Sequence, residues 1–253
     1  MRHTYITCTD RGNVRQQNED SVDQAANEAI EAELFCVADG MGGYGSGDVA
    51  SSTVVQALVQ AFVALKAQDV DIPGPSLMSS LFSQAQSALY ALKKNQGMTT
   101  SLGTTLSAIV FIRDRVLCAN IGDSRIYGFD GRSLIQKSRD HTVVNDLVAS
   151  GSITPEQARN HPRRHVLTRA ITGESVDVEP HILDEPLDSS TVYLICSDGL
   201  YNMVEEDYIC SVLRQSSIFE ARDILLKQAC ANGGKDNITF QIIRPFDGEM
   251  TTL

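Results

Sequence analysis

The chain has 253 residues, 42% of them hydrophobic, which is enough apolar material for a real core and a length that suits one large domain or two small ones. Its formal net charge of −11 excludes the basic surface on which sequence-independent binding to nucleic acid or anionic membrane depends. No apolar stretch approaches the ~20 residues of a membrane helix, the start MRHTYITCTDRG has no signal-peptide core, and six scattered cysteines form no C-x-x-C pair; the expectation is a soluble cytoplasmic protein with reduced, buried thiols.

In chain order, YITC and ELFCVA read as strands, short and rich in β-branched or aromatic residues. A helical stripe of Val55, Leu58, Val59, Phe62 and Val63 runs within about Val49 to Leu65, QDVDIPGPS breaks the chain, and a second stripe through Leu81, Phe82, Ala85 and Leu89 spans Leu77 to Leu92. Between 104 and 137 four strand-like runs are joined at Arg113-Asp114, Gly122-Asp123 and Asp130-Gly131, which predicts an antiparallel meander. Short helices fit 143 to 149 and 155 to 159, the second with Thr154 as N-cap and Pro155 in its first turn. After the strand TVYLIC come a helix over 205 to 214 and another that opens on the capping box Ser217-x-x-Glu220 and stops at Asn232-Gly233-Gly234, and ITFQII is the last strand. Long helices follow one another in pairs instead of alternating with single strands, an α+β pattern, and no repeat or linker divides residues 1–253, so one domain is expected.

Gly40-Met41-Gly42-Gly43-Tyr44-Gly45 fits G-x-G-x-x-G between a strand and a helix, the local setting of a dinucleotide site. That reading fails twice. The helix leads into another helix where a parallel strand ending in an acid is required, and Asp39, directly before the first glycine, would repel a pyrophosphate. Ser46 and Ser124 lie outside any G-x-S-x-G elbow, which argues against serine hydrolysis.

Asp39 instead belongs to a repeated device, an aspartate beside a glycine or polar turn next to an apolar run: Asp123 after VLCANIG, Asp198 after TVYLICS, Asp236 before NITFQII, with Glu19-Asp20 in RQQNEDSV. Any one of these is an ordinary turn residue. Together they describe a carboxylate cluster that stays ionised only if cations neutralise it, and hard oxygens without histidine or cysteine suit Mg²⁺ or Mn²⁺. The glycines would admit carbonyls and waters to the ions.

Eight blocks in order, namely Arg15-Gln-Gln-Asn18-Glu19-Asp20, Asp39-Gly40-Met-Gly-Gly, Gly103-Thr104-Thr105, Asn120-Ile-Gly-Asp123-Ser-Arg125, Asp140-His141-Thr142, Val166-Leu-Thr-Arg-Ala, Cys196-Ser-Asp198-Gly199-Leu200 and Asp236-Asn237-Ile238-Thr239, resemble the metal-dependent serine/threonine protein phosphatases of the PPM (type 2C) family, its compact bacterial branch in particular. The resemblance implies a four-layer α-β-β-α sandwich, two antiparallel sheets flanked by helix pairs, with a two-metal centre at one edge. By the same resemblance Asp39 bridges two Mn²⁺ or Mg²⁺ ions and Gly40 gives its carbonyl to the second. Asp198 and Asp236 complete the first ion's shell, Glu19 and Asp20 hold waters of the second, and Asp123 with Asp198 offers a third, looser site. Arg15 grips the substrate phosphate, and a metal-activated water attacks phosphorus in line without a covalent intermediate.

Two positions depart from the family pattern. Tyr44 stands where many bacterial relatives have histidine, and Met41 where animal members do, so the proton donor to the leaving alkoxide is unassigned; His141, His161 and His165 read as surface or hydrogen-bonding loop residues. Residues 138–165 correspond to the family's flap and carry Arg159, Arg163 and Arg164, either a solvated surface or a hold on phosphoprotein. The expected partners are phosphoserine and phosphothreonine proteins, among them a serine/threonine kinase and its substrates, and the chain is expected to be a monomer; the alternative is a catalytically silent phosphoprotein-binding module.

Overall fold

A strand buried on both faces needs a packed layer above it and another below. The runs Leu106–Ile112, Val192–Cys196 and Ile238–Arg244 are buried along almost their whole length, so their sequence already demands a sandwich. The computed structural model describes residues 3–42, 46–97 and 102–245. In it, one antiparallel sheet is ordered β1 (Thr4–Asp10), β11 (Ile238–Arg244), β10 (Val192–Cys196), β7 (Arg125–Phe129) and β8 (Leu134–Gln136). The other is ordered β2 (Asp20–Asn27), β3 (Ala32–Gly42), β5 (Leu106–Ile112), β6 (Arg115–Ile121) and β9 (His181–Pro186), with β4 (Leu102–Thr104) paired to the end of β3.

The period of two along β3 divides its side chains between layers. Leu34, Cys36 and Ala38 pack under the helices α1 (Gly47–Val63) and α2 (Gly74–Asn95), with Leu58, Phe62, Met78 and Phe82. Phe35 and Val37 turn the other way, toward Ile109, Phe111, Ile126, Tyr193, Ile195 and Ile243 between the sheets. On the far side, Leu194, Phe240 and Ile242 meet Ile209, Leu213, Ala221 and Leu225 of α6 (Glu206–Gln215) and α7 (Ile218–Ala231). The result is the expected α-β-β-α sandwich. The capping boxes at Ser217 and Thr154 form, and α3 (Val143–Ala149) and α4 (Pro155–Arg159) occupy the expected short segments.

Three expectations are corrected. The four runs between 104 and 137 are not one meander: β5 and β6 form a hairpin in one sheet, β7 and β8 a hairpin in the other, and Gly122-Asp123 carries the chain between sheets. Gly122 has φ +93°, and a Cβ there would lie 2.5 Å from the Thr105 methyl, so a glycine makes this crossing possible. Val63, read as part of the α1 stripe, is 52% exposed in the last turn. α2 begins at Gly74, three residues before the expected Leu77, with Pro75 inside its first turn where a missing N–H costs nothing.

Candidate active site

The polar ends of the central strands meet at one edge of the sandwich. β3 delivers Asp39 directly opposite Asp20 of β2 in the ladder. The backbone of Asp39 is clamped on both sides: its N–H donates to Thr105 Oγ1 (2.9 Å), and its carbonyl accepts from the Thr105 N–H and the Thr104 hydroxyl, both at 2.9 Å. Thr105 Oγ1 is itself 2.7 Å from Ser124 Oγ, beside Asp123. Gly40 follows, donating its N–H to the Glu19 carbonyl at 3.1 Å. A Cβ on Gly40 would sit 2.2 Å from the Gly47 carbonyl oxygen and 2.4 Å from that of Glu19, so three chain segments converge where only a hydrogen fits. Glu19 Oε1 accepts from the Gly47 N–H (3.2 Å) at the start of α1, a favourable place for a carboxylate.

From the other sheet, β10 runs into the short helix α5 (Asp198–Tyr201), which opens on Asp198. Asn202 Nδ2 donates to Asp198 Oδ2 (3.0 Å), and Ser197 Oγ donates to Asp20 Oδ2 (2.8 Å), linking the two sheets at the cluster. Asp236 lies just before β11, and its Oδ2 accepts from Arg15 Nη2 at 2.7 Å. Asn237 fixes the 11–19 loop with three bonds: Oδ1 accepts from the Glu19 N–H, while Nδ2 donates to the carbonyls of Arg11 and Gln17. A Cβ on Gly199 would lie 1.9 Å from the Asn237 carbonyl oxygen, so α5 packs directly on this junction.

These carboxylates act on one another. Burial, then the charges of Asp20, Asp198, Asp123 and Asp236, push Asp39 well above the usual carboxylate range. Asp20 is pushed up to about 7, by burial first and then by Asp198 and Asp236, against hydrogen bonds from Thr239 and Ser197. Burial and then Asp198 raise Asp123 to about 7, and burial and then Asp236 raise Asp198 to about 6. Asp123 is almost fully buried, whereas Asp20, Asp39, Asp198 and Asp236 keep part of their surface open to the cleft. Arg15 compensates Asp236, and Arg125 is committed to Asp140 (Nη2 to Oδ2, 2.7 Å) and Glu206 while stacking 3.8 Å over the Tyr201 ring.

Among the described residues no trio of Asp, Glu, His or Cys side chains is drawn into a ready coordination shell. The chemistry of the donor set nevertheless fits a hard divalent cation: oxygen ligands only, mutually repelling, with carboxyls that would ionise fully if an ion shared the cleft.

Arg15, Glu19, Asp20, Asp39, Gly40, Asp198 and Asp236 thus gather at one place, and Asp123 joins them electrostatically through Asp198. Arg15 meets Asp236, where a phosphate grip was expected. Gly43, Tyr44 and Gly45 lie outside the described residues. His141 is a hydrogen-bonding residue, buried, its Nδ1 accepting from the Gly122 N–H at 3.2 Å and its pKa lowered by burial. Sequence reasoning gave no role to Thr105, Ser197, Tyr201 and Asn237; Ser197 and Asn237 sit next to Asp198 and Asp236 inside the matched blocks, the one signal that could have found them.

The profile of the protein phosphatase 2C family matches residues 11–229. The serine/threonine phosphatase stp of Listeria monocytogenes is 34% identical over 241 residues, which cover 93% of each chain. The serine/threonine protein phosphatase PstP of Mycobacterium tuberculosis is 38% identical over 238 residues, 93% of this chain but 43% of that longer protein, so this chain spans under half of it. Crystal structures of PstP superpose with a TM-score of 0.86 at 35% identity, covering 97% of this chain and 99% of that one, and, for its catalytic domain in complex with two manganese ions, 0.83 at 34% identity over the same shares.

Proposed function

We propose that this chain, which belongs to the protein phosphatase 2C family, is a metal-dependent serine/threonine protein phosphatase whose own residues divide the work as follows. The observation that carries the assignment is the mutual repulsion of Asp20, Asp39, Asp123, Asp198 and Asp236 at one edge of the sheets, with Arg15 at its rim. Asp39, the Gly40 carbonyl, Asp198, Asp236, Glu19 and Asp20 would hold two Mn²⁺ or Mg²⁺ ions, in part through water, and Asp123 with Asp198 a third. Bound there, such ions acidify a water and offset the charge of the phosphate.

The residues of the chain supply position and charge. Thr104 and Thr105 hold the Asp39 backbone, with Ser124 bracing the Thr105 hydroxyl, and so keep its carboxylate at the cleft. Asn237 keeps the Arg15 loop against β11, and the half-exposed guanidinium of Arg15 can exchange Asp236 for two phosphoryl oxygens, a match to its planar fork. As the attacking and leaving oxygens line up, a guanidinium already in place stabilises the equatorial oxygens without reorganising.

The substrates are phosphoserine and phosphothreonine side chains on proteins, including those of a serine/threonine kinase and its targets, and we infer a monomer of one phosphatase unit working in the cytoplasm, in keeping with six free cysteines. No helix among the described residues is long and apolar enough to cross a membrane. A silent binding module is set aside, because relatives covered nearly end to end are named phosphatases and every matching acidic position is filled. The test is release of phosphate from a phosphothreonine peptide: turnover with Mn²⁺, none with EDTA, and a loss of about 10³-fold in Asp39→Asn. Turnover that persists in EDTA would refute the assignment.

A further inference from the structure

We propose that the exposed arginines of the segment 155–165 form a docking surface for acidic residues flanking the phosphorylated side chain of a protein substrate. The proposal rests on the phosphatase reading and sharpens its substrate class. Within a chain of net charge −11, the segment PEQARNHPRRH holds three arginines, Arg159, Arg163 and Arg164, against one acid, Glu156. All three are exposed, and among the described residues none of their guanidinium groups has a hydrogen-bond or ion-pair partner, whereas Arg15, Arg113, Arg115, Arg125, Arg169 and Arg222 each hold a carboxylate. A free guanidinium on an acidic protein is a preformed site for carboxylate or phosphate oxygens.

The patch is held in a fixed place relative to the cleft. The Thr154–Gln157 capping box sets α4, which ends on Arg159. A turn then orders the next two arginines: His161 Nδ1 accepts from the Arg163 N–H (3.1 Å), the Arg164 N–H donates to the His161 carbonyl, and the Val166 N–H to the Arg163 carbonyl. Immediately afterwards the chain is stitched to the cluster, Val143 N–H to the Val166 carbonyl, Thr168 N–H to the His141 carbonyl, and His141 N–H to the Gly122 carbonyl beside Asp123. Burial and the neighbouring Arg164 lower the pKa of His165, and the charge of Asp236 opposes them, so the end of this limb lies within electrostatic range of the cleft.

A substrate whose phosphate enters the acidic cleft must keep any neighbouring acids away from the cluster. The three arginines offer an unpartnered positive surface on which to place them, and their field orients such a chain before it docks. Neutral flanks gain nothing from the patch.

The test uses the full chain with Mn²⁺, two phosphothreonine peptides that differ only in three flanking Glu against three Gln, and p-nitrophenyl phosphate. Wild type should favour the Glu peptide by about fivefold to tenfold in kcat/KM and in Kd by fluorescence anisotropy, from three exposed charge pairs. Arg159→Gln/Arg163→Gln/Arg164→Gln should abolish that preference and leave p-nitrophenyl phosphate turnover unchanged, and high salt should mimic it. Equal use of both peptides by wild type, or a preference that survives the triple substitution, overturns the proposal. Failure to hydrolyse p-nitrophenyl phosphate would count against the phosphatase reading alone, since the anisotropy comparison still reads the flap.

Discussion

Two arginines near the cluster, Arg125 and Arg15, show how the same chemical group is made structural in one region and functional in another. Arg125 opens β7, is mostly covered, makes three hydrogen bonds to Asp140, reaches Glu206 and the Tyr127 hydroxyl, and stacks on Tyr201, whose own hydroxyl holds the Asp123 carbonyl at 3.0 Å. Each of its three guanidinium nitrogens is engaged. Arg15 sits on a loop, has 48% of its side chain exposed and makes one ion pair, with Asp236. A guanidinium surrounded by fixed partners braces the flap base and α5 against β7; one with a single partner at a cleft is free to change partners.

The sharpest way to break this contrast is to remove the same charge from each site. Arg125→Met should cost about 3 kcal/mol of stability, because Asp140 is left buried and uncompensated, and urea unfolding will read it. A loss under 1 kcal/mol would mean that the brace is ornamental. Arg15→Met should change stability little but lower kcat/KM for a phosphothreonine peptide by about 10- to 100-fold, with Mn²⁺ affinity by calorimetry retained. A large fall in Mn²⁺ affinity would show that Arg15 organises the ion ligands and does not serve the phosphate.

The smallest expected effect is in pH. Asp20 and Asp123 at about 7 and Asp198 at about 6 are raised in the folded protein above an unfolded value of about 4. Carboxyls of this kind favour folding most below their unfolded pKa, and that contribution is lost as pH climbs through the folded values. In EDTA the Tm should therefore fall by a few degrees between about pH 4 and pH 7, while Mn²⁺ should raise it most above pH 7, where its ligands are charged. A Tm in EDTA that rises across this range would contradict the crowding of these acids.

Much of this was legible because the chemistry is written locally. Asp39, Asp123, Asp198 and Asp236 each stand at the end or start of an apolar strand, and a rigid strand end places its next side chain predictably. β2 was not legible: DSVDQAAN lacks an apolar alternation, being half-buried at a sheet edge under α1, and pairing with β3 makes it a strand. β9 hid for the same reason, a short edge strand that ends in Pro186. The division of 104–137 between two sheets was invisible because β5, β6 and β7 are all apolar, and periodicity says that a strand is buried without saying in which sheet. Thr105 and Asn237 stand inside matched blocks, but their bonds reach segments far away in the chain, so periodicity and turn chemistry alone gave them no role.

Asn237 has a consequence for how the protein comes into being. Its amide joins residues 218 to 226 positions apart, so the loop that presents Arg15 and Glu19 takes its final form only after β11 has been laid down beside β1. Long-range closure of this kind comes late in folding, when the entropy of so large a loop can be offset by a strand pairing already made. During synthesis, a nascent chain in which β11 has not yet emerged holds Arg15 and Glu19 on a loop without its anchor, so the cleft is assembled only once β1 and β11 have paired.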